Sequence, residues 1–226
     1  MSEKWDRLSS VVMTLCAVAI AGTFVARETG LVGGVAAETR EPRLVEDWES
    51  LLQYGMQIGD PGSDIQMVEF IDFQCPFCAA FHRGPLGFAR DSLPEPIGIS
   101  LIHFPLDIHP LARGLAGGAE CANEQGAISA YADAVFGNAP VSLEETVWKR
   151  MGEQLGLVDV HQFVECAKTI DAERAGRIER GIALAREVGA TGTPTVLIDG
   201  WLLPVAPDAS EISRVVSAIR TGKDPY

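Results

Sequence analysis

Nine residues from Ile65 to Phe73 (IQMVEFIDF) are nearly all apolar and run almost directly into Cys75-Pro76-Phe77-Cys78. No other stretch constrains the fold as much. An apolar run of this length fits a central strand buried on both faces, with the cysteine pair at its exit. The apolar segment that follows, as far as Ala89, reads as a helix. A dithiol redox pair needs two sulfurs close enough to bond and one of them exposed as a thiolate. Two intervening residues on the first turn of a helix meet both needs. Unpaired N–H groups and partial positive charge there stabilise the Cys75 thiolate. Pro76 is tolerated because a first-turn N–H has no intrahelical partner. Cys78 is then turned inward, placed to attack a mixed disulfide on Cys75. The competing reading is half of a zinc site. A second Cys-x-x-Cys is absent, the four histidines (82, 103, 109 and 161) are scattered, and only His82 shares the helix. Redox chemistry is therefore expected, with no metal and no cofactor.

Glu69 lies six residues before Cys75 and breaks the apolar strand. A carboxylate there would be desolvated, hold its proton more tightly, and relay it to or from Cys78. The alternative is a surface glutamate facing an edge. Gly192-Thr193-Pro194-Thr195 precedes another strand-like run; proline at a strand start is ordinary, and such bonds are mostly trans. His103 and His109 bracket Phe104-Pro105-Leu106 at a strand end and are read as packing or capping residues.

Strand character also marks Ile97 to Phe104, Thr195 to Ile198 and, after an Asp199-Gly200 turn, Trp201 to Val205. From Ala112 to Val188 helix signals dominate. Ser142 with Glu145 reads as a capping box ahead of a Leu143, Val147, Met151, Leu155 stripe. Asp171 caps another helix that closes at Gly189. Leu44, Trp48, Leu51 and Leu52 fit a short helix, and Ile212, Val215, Val216 and Ile219 a last one.

Eighteen uncharged residues, Ser9 to Ala26, follow Lys4 and Arg7. At about 1.5 Å per residue they are just long enough to cross a bilayer core. An uncleaved anchor is the leading reading; a cleaved signal and a buried helix are the alternatives. Either of the first two puts the remainder outside the cytoplasm, where disulfides persist. Setting Cys16 aside leaves four cysteines of five, two of them in the redox pair. Cys121 and Cys166 are then expected to form a structural disulfide, the alternative being two buried free thiols. With 31 acidic against 18 basic residues, a formal charge of −13, the chain repels phosphate backbones, so nucleic acid is excluded as a partner.

The stretch from Val68 through Glu69, Phe70, Ile71, Asp72, Phe73 and Gln74 to Cys78 resembles the active-site segment of DsbA-like thiol–disulfide oxidoreductases. Thr191-Gly192-Thr193-Pro194-Thr195 is similar to their cis-proline loop, and Cys121-Ala122-Asn123-Glu124-Gln125-Gly126 to part of their helical insertion. The resemblance runs from about Gly59 to the C-terminus. It implies an α/β, thioredoxin-like fold with an inserted all-helical domain, here preceded by an N-terminal membrane helix. It also implies a cis Thr193-Pro194 bond facing the cysteines, with Thr193, Pro194, Pro76 and Phe77 meeting the substrate chain, and a buried acid at Glu69. Strongly oxidising members carry histidine where this chain has Phe77.

The expected organisation is an anchor or signal over 1–29 and a tether with a short helix over 30–54. A first thioredoxin-like part spans 55–106, the helical insertion 107–189 and the second part 190–226. The expected activity is extracytoplasmic thiol–disulfide exchange with cysteine-containing client proteins, as an oxidase restored by a membrane-embedded redox partner. A reductase or isomerase using the same cysteines, and a non-catalytic peptide-binding or zinc module, are the alternatives.

Overall fold

The computed structural model describes residues 41–226. The anchor reading for 1–29, and the tether as far as residue 40, lie outside the described residues. In chain order the elements begin with β1 (Arg43–Leu44), a 3-10 helix (Trp48–Tyr54), β2 (Met56–Gly59) and β3 (Gln66–Ile71). Helix α1 (Pro76–Phe81) continues through a π turn (His82–Leu86) into α2 (Gly87–Asp91), followed by β4 (Gly98–His103). Five helices follow: α3 (Ala112–Glu124), α4 (Ile128–Gly137), α5 (Glu145–Gln154), α6 (Val160–Lys168) and α7 (Ala172–Glu187). The chain closes with β5 (Thr195–Ile198), β6 (Trp201–Leu202) and α8 (Ala209–Arg220).

The strands form one sheet in the order β1-β6-β5-β3-β4-β2. β3 and β4 are its parallel pair, with Glu69 opposite Leu101; on the other side β5 runs antiparallel, with Glu69 opposite Val196. Successive side chains on a strand point to opposite faces. One face therefore presents Met67, Ile71, Ile99, Leu101, Val196 and Ile198 to Leu86 and to Ile212, Val215 and Val216 of α8. The other presents Val68, Phe70, Ile102 and Leu197 to Ile178, Ile182 and Ala185 of α7 and to Leu51. Met67, Phe70, Ile99 and Leu101 are fully covered, and each such side chain contributes about 1.5–3 kcal/mol. The β5–β6 hairpin turns at Asp199 and Gly200, whose φ values of 49° and 85° are both positive, as a two-residue primed turn requires.

Helix α3 is built from small residues, and its glycines let larger side chains close in. A Cβ on Gly118 would lie 2.8 Å from the Trp148 ring and from Tyr131 Oη. Trp148 in turn meets Phe163 edge-on. Cys121 on α3 and Cys166 on α6 are joined in a disulfide, with Cα atoms 5.9 Å apart. Asp159, Asp171 and Asp208 cap α6, α7 and α8 by accepting from Gln162, Arg174 and Glu211 N–H.

Several elements depart from the sequence reading. Glu144, not Ser142, occupies the N-cap of α5, and its side chain makes no cap bond, so the capping box is absent. The Trp48–Tyr54 helix is 3-10, with Asp47 entering it at φ 52°. β1 and β2 are added strands, short ribbons whose pairing with β6 and β4 is non-local. The π turn falls where Pro85 has no N–H to offer the helical ladder. Last, α7 lies inside the stretch assigned to the insertion, yet it covers the second face of the sheet. It packs tightly there: a Cβ on Gly181 would sit 2.4 Å from the His103 carbonyl oxygen.

Candidate active site

β3 ends at Ile71, and four residues later α1 begins with Cys75 as its N-cap and Pro76 as its first residue. Both cysteines are thiols. Cys78 is fully buried and Cys75 is only 3% exposed, so the nucleophile is more enclosed than the sequence suggested. Pro76 and Phe77 stand outside, Phe77 with 72% of its surface free. The Thr193–Pro194 bond is cis. It brings the Thr193 carbonyl to Cys75, whose thiol donates to it at 3.4 Å.

The two sulfurs are held in opposite states. Hydrogen bonding from the Cys78 thiol brings the Cys75 pKa down to about 5, against the opposing effect of burial. The Thr193 side chain and the backbone N–H groups of Cys78 and Phe77 pull the same way. The Thr193 hydroxyl has no other partner and is free to turn to a thiolate. The N–H groups are those a first helical turn leaves unpaired. Cys78 is pushed far up, first by burial, then by its bond to Cys75 and by the charge of Glu69, while the Asp72 backbone N–H opposes. Glu69 is fully buried, and neither carboxylate oxygen has a hydrogen-bond partner. Burial, with the neighbouring Cys75 charge adding to it, holds Glu69 well above the usual carboxylate range. At neutral pH the site thus holds a thiolate on Cys75 and a thiol on Cys78, beside a buried Glu69 carboxyl that holds its proton more tightly than an exposed one.

The fold brings Glu69, Cys75, Cys78, Thr193 and Pro194 together from β3, α1 and the loop before β5. Cys121 and Cys166 lie apart, between α3 and α6. His82 Nε2 is engaged by Asp133 Oδ1 at 2.7 Å, and His103 Nε2 by Glu120 Oε1 at 2.9 Å. Asp72 and Gln74 went unassigned in the sequence, and His109 was read only as a packing or capping residue, although all three surround the cysteine turn. Asp72 is buried and accepts from Gln74 N–H at 2.7 Å, Leu106 N–H at 2.8 Å and His109 Nδ1 at 2.7 Å. A charge in an apolar run just before the cysteines was its only sequence signal. Among the described residues no helix is long and apolar enough to cross a membrane.

A thioredoxin family model matches residues 52–218. The thioredoxin-like oxidoreductase of Silicibacter pomeroyi DSS-3 superposes with a TM-score of 0.65 at 25% identity, covering 76% of this chain and 97% of that one. Pseudomonas aeruginosa DsbA2 does so with a TM-score of 0.56 at 28% identity, covering 74% and 93%. Among curated proteins, the Na(+)/H(+) antiporter NhaA 3 of Salinispora tropica is 31% identical over 145 residues, which is 63% of this chain and 21% of the antiporter. The chain spans only about a fifth to a quarter of the curated relatives it matches. With the family model covering most of the chain and the paired cysteines set at the head of α1, the chain belongs to the thioredoxin family, and its fold is similar to that of DsbA-type proteins.

Proposed function

We propose that the chain oxidises cysteine-containing client proteins through Cys75 and Cys78, outside the cytoplasm. The observation that carries this reading is the inequality of the two sulfurs. A client thiolate attacks Cys75 Sγ of the oxidised pair. The Cys75–Cys78 bond breaks, and its electron pair leaves on Cys78, which takes a proton from Glu69. A second client thiolate then attacks the client sulfur of the mixed disulfide and expels Cys75 as a thiolate. The client has lost two electrons and the pair has gained them. A thiolate with a pKa near 5 is a good leaving group, and its stability favours the reduced enzyme, which is what makes such a pair oxidising. Phe77, exposed beside the sulfur, and the Thr193–Pro194 loop are the surfaces a client chain would meet. The Cys121–Cys166 disulfide supports an oxidising compartment. Anchoring by the N-terminal apolar segment and reoxidation by a membrane-embedded partner complete the proposal.

The deciding experiment is the reduction potential of the Cys75–Cys78 couple against glutathione. A value towards about −120 mV supports the oxidase. One near about −270 mV reverses the direction and makes the chain a reductase or isomerase.

A further inference from the structure

We propose that Asp72 and His109 are positioning residues for this exchange, holding the turn that presents Cys75 Sγ to a client. The proposal rests on the disulfide-exchange reading above and concerns side chains that touch neither sulfur. The turn from Ile71 to Pro76 has to place the first N–H groups of α1 around one sulfur, and little in its own sequence fixes it. Asp72 fixes it twice. Its carbonyl accepts from Cys75 N–H at 3.0 Å, and its carboxylate accepts from Gln74 N–H at 2.7 Å, a side-chain bond two residues on that closes the turn. The second carboxylate oxygen faces the segment after β4, where Leu106 N–H and His109 Nδ1 both bind it. Gln74 reaches the same segment, accepting from Leu111 N–H at 2.6 Å.

The residues between β4 and α3 are therefore pinned to the cysteine turn at three points, and two of the three bonds end on one carboxylate. The Asp72 side chain is fully buried and has three contacts to organise with one charge, so losing a partner cannot be made good by water. His109 is 17% exposed and supplies the outermost of these bonds. The charge of Asp72 is not among the main influences on either sulfur; only its backbone N–H acts directly, on Cys78. Its effect on Cys75 is thus geometric, through the N–H groups the turn presents.

The test is a thiolate absorbance titration of the reduced full chain, with the glutathione equilibrium measured alongside, for Asp72→Asn, His109→Ala and His109→Asn. Asp72→Asn presents an amide NH2 to at least one of the N–H donors, and His109→Ala removes the outermost donor. Each is expected to raise the Cys75 midpoint, leaving a roughly tenfold smaller thiolate fraction at a pH below it, the effect of about one lost charge-assisted hydrogen bond. His109→Asn, whose amide nitrogen sits where Nδ1 does, should restore the wild-type midpoint. Asp171→Ala, which removes the cap of α7, should lower thermal stability and leave the titration unmoved. Folded variants with an unchanged midpoint overturn the proposal. So does a lowered midpoint, which would mean that the carboxylate acts by charge alone. If Asp72→Asn fails to fold, the His109 pair decides. A wild-type midpoint at the ordinary thiol value would overturn the exchange reading itself, a result distinct from variants that match a perturbed wild type.

Discussion

Replacing Cys75 by serine removes the thiolate and leaves a hydroxyl of similar size, so it isolates what the charge contributes to the reduced fold. The Cys75 pKa is about 5 in the folded protein, against about 8.5 in an unfolded chain. A group whose pKa is depressed on folding stabilises fully above its unfolded pKa and loses that contribution as pH falls through the folded one. The difference in unfolding free energy between reduced wild type and Cys75→Ser should therefore be flat below about pH 5. It should rise by about 1.4 kcal/mol per pH unit between about pH 5 and 8.5. At pH 7 the accumulated difference is about 3 kcal/mol, or about 60 mV in a two-electron couple. Urea unfolding of both reduced proteins from pH 4 to 8 measures it directly. A difference that stays constant across that range would refute the argument, because a thiolate that does not stabilise the fold cannot make the pair oxidising.

Glu69→Gln should remove the opposite trend: with its pKa raised on folding, the acid costs the wild type stability as pH climbs above the ordinary carboxylate value. The variant's stability should fall less with pH in urea melts, while proton-dependent release of Cys78 in stopped-flow exchange slows. Cys78→Ala should accumulate mixed disulfides with clients on non-reducing gels, whereas Cys75→Ser should trap none. Removing the Cys121–Cys166 bridge, which closes a separation of 45 residues, should cost up to about 4 kcal/mol. Leaving Cys16 aside, thiol labelling of mildly reduced protein that is then denatured without further reductant should find the active-site pair alone. Gly181→Ala must displace α7 from the His103 carbonyl and should cost about 1–3 kcal/mol in thermal unfolding, with the Cys75 titration unchanged.

The central strand, the cysteine turn and the run of helices were legible because each rests on local patterning. Glu69 was conspicuous as a charge in an apolar run, although only the sheet register reveals that it faces the same core as Met67 and Ile71. β1 and β2 escaped notice because two to four residues carry no period, and they exist only by pairing with distant partners. The Ser142–Glu145 spacing matched a capping box by coincidence: the helix starts at Glu145 itself, so its cap is Glu144. Asp72 and His109 lie 37 residues apart in the chain, and their bond exists only once β3 and β4 are parallel neighbours. Sequence reading assigned His109 to packing or capping, which named its neighbourhood but not its partner.

The inequality of the two sulfurs also sets how many protons accompany the electrons. Reducing an ordinary disulfide below the thiol pKa takes up one proton for each electron, and its potential then falls by about 60 mV per pH unit. Here Cys75 stays ionised above about pH 5 while Cys78 is protonated throughout. Two electrons therefore arrive with a single proton, and the potential should fall by only about 30 mV per pH unit through the neutral range. A couple built this way varies less with the acidity of its surroundings than the small thiols it meets, so mild acidification moves those thiols' potentials more than its own.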